Sequence, residues 1–139
     1  MPTETLTADW VRDQVFLLRD HAGFPILMAQ PKGVLGADRL PLSLAGCAIR
    51  DVMDILRKQR QPVTRCQVDA ESERQADSPW RFRRICIVYR LWGPGLDPAA
   101  IERAIRLTEE KYCSVYATLK AAVEIVSRCE LHPAQEFPM

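Results

Sequence analysis

Apolar and polar residues alternate along most of residues 5–29, which is typical of β-strands with one covered face. The pattern predicts short strands near 6–12, 14–19 and 25–29, with turn residues at 12–13 and 20–25. These three strands would form an N-terminal β-meander. The following segment, 31–38, contains two glycines and a proline and is predicted to be a loop.

The next segment has apolar residues at helical spacing. Pro41 fits the first turn of a helix, where its missing N–H costs nothing. Pro62 restricts the residue before it, so the helix should run to about Arg60. Such a helix would be the long central element of the fold. Its predicted apolar face consists of Leu42, Ala45, Ile49, Val52, Met53 and Leu56.

The second half of the chain predicts two strands, two helical pieces and a final strand. The strands lie within 63–73 and 80–93, and the polar connection 75–79 suits a hairpin. Asp97 and Pro98 suit the N-cap and first position of a helix that extends to residue 112. A second helical piece at 113–122, a closing strand at 123–131 and a fraying tail at 132–139 follow. This order predicts a single α+β domain over 1–139.

Composition narrows the possible function classes. The formal net charge of the 139-residue chain is +1, which gives no electrostatic argument for nucleic-acid or anionic-membrane binding. No apolar stretch approaches the length that spans a bilayer. The N-terminus carries acidic residues and no apolar segment of the signal-peptide type, so we expect a cytoplasmic protein.

Five cysteines carry the candidate chemistry: Cys47, Cys66, Cys86, Cys113 and Cys129. None forms a C-x-x-C pair, and of the two histidines only His132, three residues after Cys129, lies near a cysteine, so we expect no metal site. In a reducing compartment all five should be thiols at rest. Cys66, Cys86 and Cys129 lie inside predicted strands, where packing or an ordinary thiol is the expected role.

Cys47 and Cys113 differ because each is predicted to lie near a helix N-terminus, where the helix dipole stabilises a thiolate. Arg50 would favour the Cys47 thiolate and Asp51 would oppose it. Asp38 precedes the helix and could fold back towards this thiol, held by an arginine among Arg12, Arg19 and Arg39. An ordinary helix N-terminal charge remains the alternative role for Asp38. Position alone permits a reactive Cys47 without establishing it.

Two blocks of sequence, GADRLPLSLAGCAIRDVMDILRKQR and AIRLTEEKYCSVYATL, each contain one of these two cysteines. In this order and spacing they resemble the OsmC/Ohr superfamily of thiol peroxidases. The resemblance covers nearly the whole chain. It implies the OsmC-like α+β fold and an intertwined homodimer, with strands wrapped around two central helices and active sites at the subunit interface.

The resemblance also implies roles for individual residues. Cys47 would be the peroxidatic cysteine, oxidised by a hydroperoxide to a sulfenic acid, and Cys113 would resolve it as a disulfide. An external thiol or dithiol would then reduce the disulfide, and no cofactor is needed. Asp38 matches the position of a family glutamate and is one methylene shorter, while the family arginine has no secure counterpart here. An OsmC-like ligand-binding or redox-sensing dimer with little peroxidase activity is the alternative.

Apolar residues near the predicted site would favour an alkyl or fatty-acyl hydroperoxide over hydrogen peroxide. They are Leu40, Leu42, Leu44 and Tyr112.

Overall fold

A three-stranded antiparallel meander opens the chain in the computed structural model, which describes residues 3–29 and 36–134. Its strands, β1 (Thr7–Arg12), β2 (Val15–Arg19) and β3 (Pro25–Ala29), lie in the order β1-β2-β3. Between β2 and β3 the Asp20 carboxylate accepts hydrogen bonds from the backbone N–H groups of Ala22 and Phe24, each over 2.9 Å. The predicted meander is confirmed.

By its internal contacts the chain divides into two compact units, Met1–Leu40 and Pro41–Met139. The single domain over 1–139 therefore stays a prediction. Most of the predicted loop, at 31–35, lies outside the described residues, as does the tail from 135 onward. Residues 36–38 form a turn before the first helix.

The long helix, α1, spans Arg39–Lys58. Pro41 therefore lies in its first turn, as predicted. The helix ends two residues before the predicted boundary, in a Schellman motif. Gln61 N–H donates to Leu56 O over 3.0 Å and Arg60 N–H donates to Arg57 O over 3.1 Å. Arg60 adopts the left-handed conformation, with φ of 56°, that this motif requires.

The buried face of α1 agrees with the predicted one only in part: Val52 and Leu56 are buried as predicted, while the N-terminal half of the face differs. Its buried residues are Pro41, Leu44, Ala48, Val52 and Leu56, whereas Leu42, predicted to be buried, is 53% exposed. Two adjacent apolar stripes follow helical spacing on α1, and they share Val52 and Leu56. The core takes the stripe through Leu44 and Ala48, and periodicity does not distinguish one stripe from the other.

These two leucines make a matched pair for measuring that difference. Leu44 is fully buried, so we expect Leu44→Ala to lower the free energy of unfolding by about 3 kcal/mol. Leu42→Ala should lower it by less than about 1 kcal/mol, because the side chain is already half in water. Chemical denaturation of both variants checks this, and equal losses would contradict the observed face.

Beyond α1, a second sheet and three helical segments complete the chain. β4 (Arg65–Arg74) pairs antiparallel with β5 (Phe82–Trp92), which confirms the predicted hairpin, and β5 pairs parallel with β6 (Glu124–His132). The connection from β5 to β6 contains α2 (Pro98–Leu107), a π-helical turn at Thr108–Tyr112 and α3 (Ser114–Leu119). A parallel pair needs such a crossover. The sequence predicted an unbroken helix to residue 112, whereas its last turn is π-helical.

The core lies between the helices and the sheet of β4, β5 and β6. Asp97 caps α2 as predicted, its carboxylate accepting from Ala99 N–H over 3.1 Å. Among the described residues no helix is long and apolar enough to cross a membrane. The core cluster combines the buried face of α1 with Ile85, Ile87, Tyr89, Leu91, Ile101, Ala104, Ile105, Cys113 and Val123.

Candidate functional site

Cys47 lies on α1 between the buried and the exposed faces. It is half-buried and packs against the core cluster. As the ninth residue of α1 it lies more than two turns from the start of the helix. The predicted position of Cys47 near the helix N-terminus is wrong, because α1 already begins at Arg39. The unsatisfied N–H groups of the first turn are therefore not beside this sulfur.

Cys113 lies at the junction between the π-helical turn and α3. Its backbone is extended, its N–H donates to Thr108 O over 2.8 Å, and its Sγ accepts from Tyr116 N–H over 3.4 Å. Cys113 is therefore the N-cap of α3, as its sequence position predicted. Only 3% of its surface is exposed.

The predicted effect of that helix end on the Cys113 thiol is outweighed by its surroundings. Burial and the hydrogen bond with Cys47 together raise the pKa of Cys113 to about 12, because they outweigh the lowering of this pKa by the Tyr116 N–H. Cys113 is thus a neutral thiol at physiological pH, whereas the sequence analysis had emphasised thiolate stabilisation.

The fold brings these two cysteines together with Asp51. Cys47 and Asp51 are one helical turn apart on α1, and Cys47 Sγ donates to Asp51 Oδ2 over 3.8 Å. Both sulfurs and a carboxylate oxygen of Asp51 lie within 4.8 Å of one another. Cys47 and Asp51 are half-buried and Cys113 is buried, so water has limited access to the group. We call Cys47, Asp51 and Cys113 the thiol cluster.

Asp51 is the residue whose importance sequence reasoning underestimated. From the sequence, Asp51 is predicted only to oppose a Cys47 thiolate through its charge. In the structure it is the hydrogen-bond acceptor of the Cys47 thiol. The i, i+4 spacing on a predicted helix was the signal that could have identified this contact.

Asp38 and the candidate arginines lie in the N-terminal unit, whereas the thiol cluster lies in the C-terminal one. Asp38 is exposed in the turn before α1. Arg19 donates to Gly23 O over 3.1 Å and Arg39 donates to Leu27 O over 2.9 Å. Arg12, at the end of β1, is exposed. The proposed partnership of Asp38 with Cys47 therefore stays a prediction.

The other three cysteines are half-buried free thiols in the second sheet. Cys66 and Cys129 pack against the core cluster, as expected for structural cysteines. Burial, together with the nearby Cys129, raises the pKa of Cys66 to about 11. Burial also raises the pKa of Cys129. Such thiols are weak nucleophiles at neutral pH.

A cavity of about 350 Å³ shares Asp51 with the thiol cluster. Its apolar lining comes from Ile55, Leu107 and Tyr112, the last of which directly precedes Cys113. Tyr112 had been expected near the site, and it lines this cavity. Leu44, also expected there, lies fully within the core instead. A cleft with these three apolar residues and the carboxylates of Asp51 and Asp54 is large enough to hold a small organic molecule.

Comparisons with known proteins identify the group to which these features belong. Residues 35–128 match the family model described as OsmC-like protein. Protein YhfA of Escherichia coli K12 is 37% identical over 125 residues, covering 88% of this chain and 93% of YhfA.

Solved structures show the same similarity. A hypothetical protein from Aquifex aeolicus VF5 superimposes with a TM-score of 0.86 at 27% identity, covering 97% of this chain and all of that one. The organic hydroperoxide resistance protein OhrB of Bacillus subtilis superimposes with a TM-score of 0.63 at 13% identity, covering 92% of this chain and 98% of OhrB. At that identity the likeness to OhrB concerns the fold alone.

Proposed function

This chain belongs to the OsmC-like protein family, and on that premise we propose that it is a cytoplasmic thiol-dependent peroxidase acting on organic hydroperoxides. The observation that carries the proposal is the pair of free thiols, Cys47 and Cys113, whose sulfurs lie within 4.8 Å of each other. A sulfenic acid formed on one sulfur would have the other thiol beside it, and disulfide closure then requires the two sulfurs to approach to about 2.05 Å.

The surroundings of the two sulfurs support different roles for them. Cys47 is half-buried and has a carboxylate, Asp51, to accept its proton. Cys113 is almost fully buried and its raised pKa keeps it protonated. A hydroperoxide therefore meets Cys47 first, and Cys113 is the thiol held back for the second step.

The proposed cycle has three balanced steps. The Cys47 thiolate, after its proton moves to Asp51, attacks one oxygen of the O–O bond. The bond breaks, the alkoxide leaves as an alcohol with that proton, and Cys47 becomes a sulfenic acid. Cys113 then loses its proton and attacks the Cys47 sulfur as a thiolate, the hydroxyl group leaves as water with that proton, and the Cys47–Cys113 disulfide forms. An external dithiol returns both cysteines to thiols and is itself oxidised to a disulfide.

The cavity beside Asp51 supports an organic substrate. Its apolar residues would take up the alkyl or aryl part of a hydroperoxide and leave the O–O group towards the thiol cluster. We expect cumene hydroperoxide to react with reduced protein at least about tenfold faster than hydrogen peroxide, because only cumene hydroperoxide buries apolar surface there.

A turnover assay tests both the activity and this preference. The reduced protein is mixed with dithiothreitol and each peroxide in turn, and peroxide consumption is followed. Catalysed consumption of cumene hydroperoxide supports the proposal, and equal rates for the two peroxides would remove the apolar preference. If neither peroxide is consumed above the protein-free rate, the peroxidase proposal fails and the ligand-binding alternative takes its place.

We further propose that the protein is a homodimer. Large apolar side chains are exposed in the N-terminal unit, and among them Trp10 is 70% and Phe24 is 69% exposed. Apolar surface of this kind is normally covered by a partner, and a second copy is the partner the family resemblance implies. Independently of the dimer, we propose that Asp38, held by one of Arg12, Arg19 and Arg39, supports the Cys47 thiol, as the family resemblance implies. Sedimentation at twice the mass of one chain tests the dimer.

A further inference from the structure

The thiol cluster has the composition of a metal site as well as of a redox centre. It offers two sulfurs and one carboxylate oxygen, all within 4.8 Å of one another. Thiolate sulfur with a carboxylate oxygen is a ligand set that suits Zn²⁺, which binds Cys at about 2.3 Å and Asp at about 2.0–2.2 Å. Hard cations such as Mg²⁺ and Ca²⁺ prefer oxygen ligands alone.

The spacing of the ligand atoms is close to what a zinc ion requires. Ligands at those bond lengths in a tetrahedron lie about 3.4–3.8 Å from one another. Cys47 Sγ and Asp51 Oδ2 are already 3.8 Å apart, and the remaining separations are at most 4.8 Å. Movements of about 1 Å or less would therefore complete three corners of the tetrahedron and leave the fourth corner for water.

Two features of the fold prepare this arrangement. Cys47 and Asp51 lie one turn apart on the same helix, so one backbone segment sets the distance between these two ligands. Cys113 is fixed by its position as the N-cap of α3 and by the Tyr116 N–H. The sequence predicts no metal site because it has no C-x-x-C motif. Such motifs detect only ligands that are close in sequence, whereas Cys47 and Cys113 are 66 positions apart and meet only in the folded chain.

We propose that the reduced protein binds one Zn²⁺ ion per chain through Cys47, Asp51 and Cys113, and that disulfide formation releases it. Binding replaces two S–H protons, so each Zn²⁺ bound releases two protons from the thiols. A disulfide between Cys47 and Cys113 has no thiolate to offer, which makes the metal-bound and oxidised states mutually exclusive. Bound Zn²⁺ would therefore shield Cys47 from hydroperoxide. Oxidation of the zinc-free protein to the disulfide would in turn remove its zinc site.

The proposal uses the same thiols as the proposed peroxidase but does not require that activity, since binding is measured directly. Reduced full-length protein is titrated with Zn²⁺ against a chromophoric chelator. We expect one ion per chain, with affinity weakened more than about 100-fold in Cys47→Ser and in Cys113→Ser, because even outer partners of zinc ligands contribute about 10–100-fold. Asp51→Asn should weaken it at least about tenfold.

Matched controls separate the cluster from adventitious sites. Asp54→Asn changes a second carboxylate of the cavity that Asp51 lines, and Cys66→Ser changes another half-buried thiol. Neither residue belongs to the thiol cluster, so both variants should bind Zn²⁺ as the wild type does. Binding that persists in the Cys47→Ser and Cys113→Ser variants, or no binding by reduced wild type at micromolar Zn²⁺, would overturn the proposal.

A second measurement on the wild type guards against variants that fail to fold. Zn²⁺ should slow the alkylation of Cys47 by iodoacetamide at least about tenfold and should leave the alkylation rate of Cys86 unchanged. A Cys47 alkylation rate that Zn²⁺ does not change would also overturn the proposal. Zinc binding combined with no hydroperoxide turnover by the zinc-free reduced protein would refute the peroxidase alone. Turnover by the zinc-free protein without any zinc binding would refute the metal site alone.

Discussion

We expect Cys47→Ser to abolish hydroperoxide reduction, lowering the rate by on the order of 10³ or more relative to the wild type. A serine hydroxyl has no accessible anion at neutral pH and forms no sulfenic acid, so the first step has no reactant. Cys113 does not substitute for it, because it is 3% exposed and its pKa is raised to about 12. Initial rates of cumene hydroperoxide consumption with dithiothreitol measure this loss.

Cys66→Ser is the matched control for that experiment. Cys66 is also a half-buried free thiol that packs against the core, but its pKa is raised to about 11 and it lies outside the thiol cluster. We expect this variant to keep wild-type activity. Substantial turnover by Cys47→Ser, or a comparable loss in Cys66→Ser, would show that the reacting thiol has been misassigned.

We expect Cys113→Ser to stop the proposed cycle after its first chemical step. Without added reductant, wild type and variant should each consume one equivalent of hydroperoxide per chain. The variant should then hold a Cys47 sulfenic acid, which a dimedone adduct reports, whereas the wild type loses two thiols to a disulfide. With dithiothreitol, turnover should fall by roughly 10²-fold or more, because an intramolecular thiol has a far higher effective concentration than one in solution.

The pH dependence of the wild type identifies the same step. Cys113 attacks as a thiolate, and its pKa is raised to about 12, so its thiolate fraction grows roughly tenfold per pH unit below that value. Disulfide closure after sulfenic acid formation should therefore accelerate as pH rises from 7 to 9 in stopped-flow experiments. A closure rate that does not change over this range, or no dimedone adduct in Cys113→Ser, would contradict the resolving role.

The order of elements was accessible from the sequence because each boundary has its own chemical signal. Pro41 lies in the first turn of α1, and Asp97 with Pro98 starts α2, both where the residue types predict. The three strands of the meander and the β4–β5 hairpin also agree with their alternating patterns. In these cases the local sequence preference and the tertiary contacts favour the same structure, so the local preference alone predicts it correctly.

The buried face of α1 and the geometry of the thiol cluster depend on long-range packing instead. Leu42 and Leu44 are equally apolar, and packing against the rest of the core cluster decides which one is buried. The π-helical turn at Thr108–Tyr112 sets the position of Cys113 and has no distinct sequence pattern. Pairing Asp51 with both sulfurs requires knowing how α1 meets the start of α3. For these reasons the sequence suggested the two cysteines but not their surroundings.

Disulfide mapping tests the central claim most directly. Fully reduced protein is treated with one equivalent of cumene hydroperoxide per chain, remaining thiols are alkylated, and the peptides are identified by mass spectrometry. The proposed cycle predicts rapid formation of a Cys47–Cys113 disulfide, with Cys66, Cys86 and Cys129 recovered as alkylated thiols. Slow oxidation scattered over all five cysteines, or a disulfide that omits Cys47, would contradict it.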